Sequence, residues 1–261
     1  MKTVSLSCLI YTLKDKEVKD NVYLNIFYIW LGKVIQSGGL TSNDALNIII
    51  DERTLNYFKE IDSPLALLLE KLQCPYTFIE VKPPVNSLTG MMNKYIRVDY
   101  SQDVYLYCDI DILISNPFST MIEQMSGDCI YVCAEGLLSD KNYSEGFDKL
   151  PPGELPGLSA GKFAITGMHL CNIVFEHISA ICDYSTKFYT VEQPMFNKAI
   201  YMLRDMISVN DKLLTEYVSF NGEDYNKSKT IFNDLGGEPG IGETHLNKII
   251  QTISLYFAGV N

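Results

Sequence analysis

Apolar residues along this chain fall into short near-continuous runs separated by longer stretches at helical spacing, the pattern of alternating strands and helices. The run over residues 4–11 is β-capable and predicts a first strand, followed by a polar turn over 14–21. Tyr23, Ile26, Phe27, Trp30, Leu31 and Val34 then recur on one helical face, which predicts a sheet-covering helix over 22–36. Gly38 and Gly39 stop it. A strand over 45–50, a helix over 54–72 broken near Ser63 and Pro64, and a strand over 76–81 come next, and Pro83 and Pro84 close that unit. A short helical or irregular piece carrying Met91, Met92, Lys94 and Arg97 leads into another apolar run at 104–108.

This βαβαβ order, with strands apolar throughout, predicts an α/β fold whose mostly parallel sheet is covered on both faces. The second half is less regular. A helix and a strand (128–133) are expected between 121 and 135, and residues 136–161, rich in Gly, Pro, Ser and charge, read as a long surface loop or lid. A strand at 163–166, helices near 170–183 and 191–205, and a strand at 217–220 follow. A glycine-rich loop at 236–240 precedes a closing helix or strand over 246–257. No internal repeat of constant period is visible.

Composition narrows the function classes. An apolar share of 47% in 261 residues supports a real core, in one large domain or a domain with a substantial insert. The formal charge is -11 and no Lys/Arg-rich stripe interrupts it, which argues against nucleic-acid or anionic-membrane partners. No run approaches 18 apolar residues, so no transmembrane segment is expected. The N-terminal run is too short, and too poorly supplied with a cleavage site, to read as a signal peptide, so a cytoplasmic location is expected. Asn142 and Asn226 form Asn-x-Ser sequons that weigh weakly against it. The seven cysteines sit mostly in apolar contexts as reduced core thiols, and Cys129 and Cys133 lack a second pair at zinc-site spacing.

The chemistry concentrates at Asp103–Pro117, where an apolar strand runs into Asp109 and Asp111. Burying an acid beside Val104, Tyr105, Leu106 and Tyr107 is unfavourable unless something pairs with it. Two acids one residue apart share a side of an extended chain, so together they can hold a hard cation such as Mn²⁺ or Mg²⁺. In an open α/β sheet this strand end is also where ligands bind. The plainer reading is a pair of solvated turn acids or caps for the segment near Pro117.

The stretch Leu106-Tyr107-Cys108-Asp109-Ile110-Asp111-Ile112-Leu113-Ile114 resembles the aspartate-x-aspartate motif of the GT-A glycosyltransferases, most closely the glycogenin-like and bacterial galactosyl- or glucosyltransferase-like retaining group. The resemblance implies a single GT-A domain over residues 1–261, with a nucleotide-binding half at 1–117 and a sugar and acceptor half at 118–261. It implies a nucleoside diphosphate sugar donor, UDP-sugar foremost, with Mn²⁺ (or Mg²⁺) on Asp109, Asp111 and His245, and Asp109 also near the ribose. Tyr11 and Thr12 would lie against the base, and Lys94 and Arg97 would reach the donor. Ser159-Ala160-Gly161 stands where the family has asparagine-serine-glycine at the donor sugar, which brings Ser159 and Gly161 to it. Glu192 and Gln193 match an aspartate-glutamine helix start facing the reacting sugar, and capping is their plain alternative. Thr244-His245-Leu246-Asn247-Lys248 keeps the family's H-x-x-K spacing, which assigns Lys248 to the diphosphate, but lacks the glycine after the histidine and the lysine-proline-tryptophan ending. His169 and His177 read as structural.

The implied activity is transfer of a hexose to a hydroxyl of a carbohydrate, glycan or protein acceptor, with retention and the leaving phosphate as base. An inverting enzyme would instead require a general base, for which Asp234 or Glu238 would stand. The two glycine-rich loops would close over the donor. The alternatives are a nucleotidyltransferase or other phosphoryl-transfer enzyme, or an inactive nucleotide or sugar binder. Oligomeric state is not legible.

Overall fold

The computed structural model describes residues 1–60, 64–185, 192–220, 229–236 and 242–257. Its first half runs β1 (Val4–Ile10), α1 (Tyr23–Gln36), β2 (Ala45–Asp51), α2 (Glu52–Glu60), α3 (Pro64–Leu69), β3 (Tyr76–Val81), α4 (Ser87–Met91), β4 (Val104–Cys108). The second half runs β5 (Ile112–Ile114), α5 (Ser119–Ile122), β6 (Cys129–Leu137), α6 (Lys141–Ser144), β7 (Pro156–Thr166), α7 (Met168–Ile181), α8 (Gln193–Leu203), β8 (Ser208–Asn210), β9 (Val218–Phe220), β10 (Phe232–Asp234) and α9 (Gly242–Phe257).

Seven strands form the main sheet in the order β3-β2-β1-β4-β7-β6-β8. Only β7 runs against its neighbours β4 and β6, so the sheet is mostly parallel, as expected. Alternation sorts its two faces. Leu6, Cys8, Leu46, Ile48, Val104 and Leu106 join the layer packed under α1 through Phe27, Trp30 and Leu31. Leu9, Ile49, Tyr105 and Tyr107 face the other layer, with Phe175 of α7 and Phe196 of α8. Strands buried on both faces carry no polar alternation, and the exceptions are satisfied internally: Asn47 Nδ2 donates to Ser5 Oγ (2.8 Å) and Ser7 Oγ (3.3 Å). A second sheet, β5-β10-β9, grows from the segment just after Asp111 and pairs Asp234 with Ile112.

The strand order reverses between β1 and β4, and a crevice lies outside the carboxyl ends of these two strands. The expected helix over 54–72 forms as α2 and α3, and residue 63 of its expected break lies outside the described residues. The closing run is a helix.

The expected loop at 136–161 is corrected at both ends. β6 continues to Leu137 and β7 starts at Pro156, leaving 138–155 as the connection. Gly136 and Gly157 misled the sequence reading because they serve packing: a Cβ on Gly157 would lie 2.3 Å from the Tyr143 ring, and one on Gly136 3.0 Å from it. Pro156 is tolerated as the first residue of its strand. The three-residue strands β5, β8 and β10 have too few residues to show a period and were not anticipated.

Candidate active site

Tyr11, Asp109, Asp111, Ser159, Gln193 and His245, each foreseen as functional, line one cavity of about 630 Å³ at the β1/β4 crevice. These residues come from five separate parts of the chain, and local hydrogen bonds hold several of them in place. Asn21 Nδ2 donates to the carbonyl of Tyr11 (2.9 Å) and to Thr12 Oγ1 (2.9 Å), while its Oδ1 accepts the Tyr23 N–H that begins α1 (3.0 Å). Thr12 N–H donates to Asp51 Oδ2 (2.8 Å), and Asp51 in turn caps α2 by accepting from Thr54 N–H (3.2 Å). Thr12 Oγ1 is shared with Thr54 Oγ1 (2.8 Å), so this buried hydroxyl is committed within the fold. The Tyr11 ring lies over Gly90, where a Cβ would meet it at 2.4 Å.

Asp109 follows β4. Its N–H donates to Gly161 O (2.7 Å), and its Oδ1 accepts from Tyr107 Oη (2.6 Å) and from Lys94 Nζ (3.2 Å). Burial pushes the Asp109 carboxyl up and Lys94 opposes it, while Asp111 and Glu192 add to the rise; the result is about 7. Asp111 Oδ2 stands 3.1 Å from His245 Nδ1, so the start of α9 reaches across to the end of β4. Tyr23 of α1 packs beneath that helix, 3.0 Å from where a Cβ on Gly242 would be.

Lys94 is fully buried and does not line the cavity. Its Nζ donates to Glu192 Oε1 (2.7 Å), to both oxygens of Asp109 and to Ala160 O (3.2 Å). Burial alone would push this ammonium down, but Asp109 and Glu192 reverse that and hold it protonated above its usual value. Lys94 therefore orients two cavity-lining acids from beneath instead of reaching into the cavity. Gln193 Oε1 accepts Ala160 N–H (3.3 Å), and Asn197 makes a two-way amide bridge to the Leu158 backbone, both at 2.8 Å, which fixes the start of α8 against β7.

Two expected positions fall elsewhere. Arg97 is exposed, pairs with Asp99 (3.2 Å) and lies beside a shallow groove with Glu176. The chain turns into extended backbone at Ile96, which carries Arg97 away from Lys94. Lys248 is an exposed residue of α9 whose Nζ donates to Leu235 O (3.2 Å), one turn beyond His245 and off the cavity lining. Asp234 lines the cavity but is ion-paired with Lys162, and Glu238 lies outside the described residues.

Sequence reasoning missed Lys162 and Glu135. Lys162 is fully buried and binds Glu135 Oε1, Asp234 Oδ2 (2.7 Å) and Ser159 Oγ (3.3 Å). The signal was a lone cation entering the apolar run Phe163-Ala164-Ile165, which demands a buried counter-charge.

The donor set fits a hard divalent cation in kind, with carboxylate oxygen and imidazole nitrogen already adjacent at Asp111 and His245. Among the described residues, no three His, Cys, Asp or Glu side chains are gathered closely enough to hold a metal ion by themselves, and Asp109 is turned to Lys94 and Tyr107. Around the cavity carboxylates far outnumber cations: Asp109, Asp111, Glu135, Glu192, Asp234 and Glu243 line it, and Lys16 is the one lysine among the described lining residues.

No family model matches the sequence, and no curated protein matches it. A crystal structure of mouse xyloside xylosyltransferase 1 in its apo form is similar, with a TM-score of 0.56 and 11% identity, covering 93% of this chain and 99% of that one. At that identity the likeness establishes the architecture, a GT-A-type Rossmann-like α/β fold. No described helix is long and apolar enough to cross a membrane.

Proposed function

We propose that this protein is a metal-dependent glycosyltransferase that moves a hexose from a nucleoside diphosphate sugar, UDP-sugar foremost, to an acceptor hydroxyl with retention. The observation that carries this reading is the convergence of Tyr11, Asp109, Asp111, Gln193 and His245 on one cavity at the strand-order switch. Mn²⁺ or Mg²⁺ would be held by Asp111 and His245, with Asp109 completing the set, and when bound it would neutralise the charge gathering on the leaving diphosphate. An acidic cavity makes that requirement acute, since a diphosphate would otherwise meet like charge.

The chain's own groups have distinct tasks in this scheme. The Tyr11 ring, backed by Gly90, offers a flat face to the base. Lys94, paired with both, orients Asp109 and Glu192 at the donor sugar. Gln193, braced by Ala160, presents its amide where positive charge develops on the anomeric carbon. The bond from that carbon to the diphosphate oxygen breaks as the bond to the acceptor oxygen forms on the same face. The acceptor's proton passes to the departing diphosphate.

One observation favours a second reading, an inactive sugar-nucleotide binder: Lys94 is paired with Asp109, and among the described residues no three donors stand gathered for a cation. Calorimetry with UDP-, GDP- and CMP-sugars, xylose donors included because the structural neighbour is a xylosyltransferase, separates the two. Mn²⁺-dependent binding and turnover of one donor, both lost in Asp111→Ala, supports transfer. Binding without release of sugar or nucleotide in Mn²⁺ supports the binder, and a folded protein that binds no donor overturns both.

A further inference from the structure

Lys162 occupies an irregularity in the main sheet. Between Val132 and Ala134 of β6 the partner on β7 jumps from Phe163 to Leu158, so residues 159–162 have no partner on that strand. Such interruptions re-aim side chains beside functional sites. Here the interruption drops the Lys162 ammonium under the cavity floor, where it is fully buried yet joined to three cavity-lining side chains, Glu135, Asp234 and Ser159. An apolar side chain would fill that space without removing a charge from water, so packing does not account for the ammonium.

The position along the sheet assigns the task. Strands lie about 4.8 Å apart, so with the order β1-β4-β7-β6 Glu135 stands roughly 14 Å from the end of β1. A donor laid from Tyr11 past Asp109 toward Gln193 leaves Glu135 beyond the reacting sugar, while Asp234, opposite Ile112 in the second sheet, flanks it from the Asp111 side. Lys162 takes one oxygen of each; Asp234 Oδ1 also accepts the Gly236 N–H (3.0 Å), and Oε2 of Glu135 has no hydrogen-bond partner among the described residues. Ionised carboxylates accept hydrogen bonds only, which matches hydroxyl donors. One ammonium between two carboxylates also leaves net negative charge, which repels an anionic acceptor.

We propose that Lys162 is a positioning residue that fixes Glu135 and Asp234 as the hydroxyl-binding pair for an uncharged acceptor sugar. This rests on the glycosyl-transfer reading above. The test uses the full chain with Mn²⁺ and the donor identified by calorimetry, and follows transfer to neutral alkyl glycosides and to the matching uronic acids. Lys162→Met should raise the KM for the neutral acceptor at least tenfold with a smaller change in kcat, leave the donor Kd within twofold, and be largely rescued by Lys162→Arg. Glu135→Gln should raise the acceptor KM in the same way, and it decides the matter if Lys162→Met does not fold. An unchanged acceptor KM, a parallel loss of donor affinity, or equal use of the uronic acids overturns the proposal. A wild-type protein that binds no donor sinks the glycosyl-transfer reading first, and this inference with it.

Discussion

Gly161 yields its side-chain space to Asp109: a Cβ built there would lie 2.8 Å from Asp109 Oδ2, while the Gly161 carbonyl accepts the Asp109 N–H at 2.7 Å. The backbone contact and the missing side chain together seat the carboxylate. Gly161→Ala should therefore keep the fold at a cost of about 1–3 kcal/mol, as overpacking does. Because Asp109 must turn aside, Mn²⁺-dependent donor affinity should fall on the order of tenfold, equivalent to about 1.4 kcal/mol. Calorimetry on the folded variant reads this directly, and an unchanged affinity would show that Asp109 is not needed where the fold holds it.

Lys94 joins two acids that would otherwise be buried without a counter-charge. Lys94→Met should destabilise the protein by about 3–5 kcal/mol, the usual effect of stranding buried charge. For a chain of this length that corresponds to a fall in Tm on the order of 10 °C. Thermal unfolding at neutral pH is the check. A shift of only a degree or two would mean that Asp109 and Glu192 find other compensation.

Asp234 makes stability depend on pH. Burial pushes its carboxyl up, and the Lys162 ammonium more than reverses that, leaving it below the usual carboxylate value. A folded-state value below the unfolded one means the stabilisation is complete above the unfolded value and disappears as pH falls through the folded one. Urea unfolding should therefore lose stability below about pH 4, and Asp234→Asn should flatten that part of the profile. Equal slopes in the two proteins would contradict the linkage.

Asp111 and His245 should govern cation affinity, and Arg97 should not. Manganese titration followed by electron paramagnetic resonance is expected to lose at least tenfold in affinity for Asp111→Ala and for His245→Ala, given their 3.1 Å approach. Arg97→Ala should change neither cation nor donor binding, because that side chain is 68% exposed and turned to Asp99. A strong effect of Arg97→Ala would require the chain near Ile96 to rearrange when the donor binds.

Local pattern was readable in the chain itself. The runs that became β1, β2 and β4 are long enough and apolar enough that only a doubly covered sheet buries them, whereas β3 is a half-exposed edge strand, and α1 shows its core face through Phe27, Trp30 and Leu31. The carboxylate pair after β4 was legible for the same reason, as charge at the end of a strand that is otherwise buried throughout. The glycines at 136 and 157 read as loop because nothing in the sequence reveals that the Tyr143 ring lies over them.

Although the three-residue strands and the ends of β6 and β7 were not legible in it, the sequence by itself determined the long strands and helices, where the paired acids stand on them, and hence an α/β sheet with its crevice beside Asp109. Each of those features depends on neighbours within a few residues or on burial, and both leave a periodic trace. The tertiary structure alone decided which charges meet. Lys94 finds Glu192 across 98 positions and Lys162 finds Asp234 across 72, so one lysine was read as a donor contact and the other passed unnoticed. Ion pairing acts through space at a few ångströms, and sequence distance carries no record of it until the sheet has set its strand order.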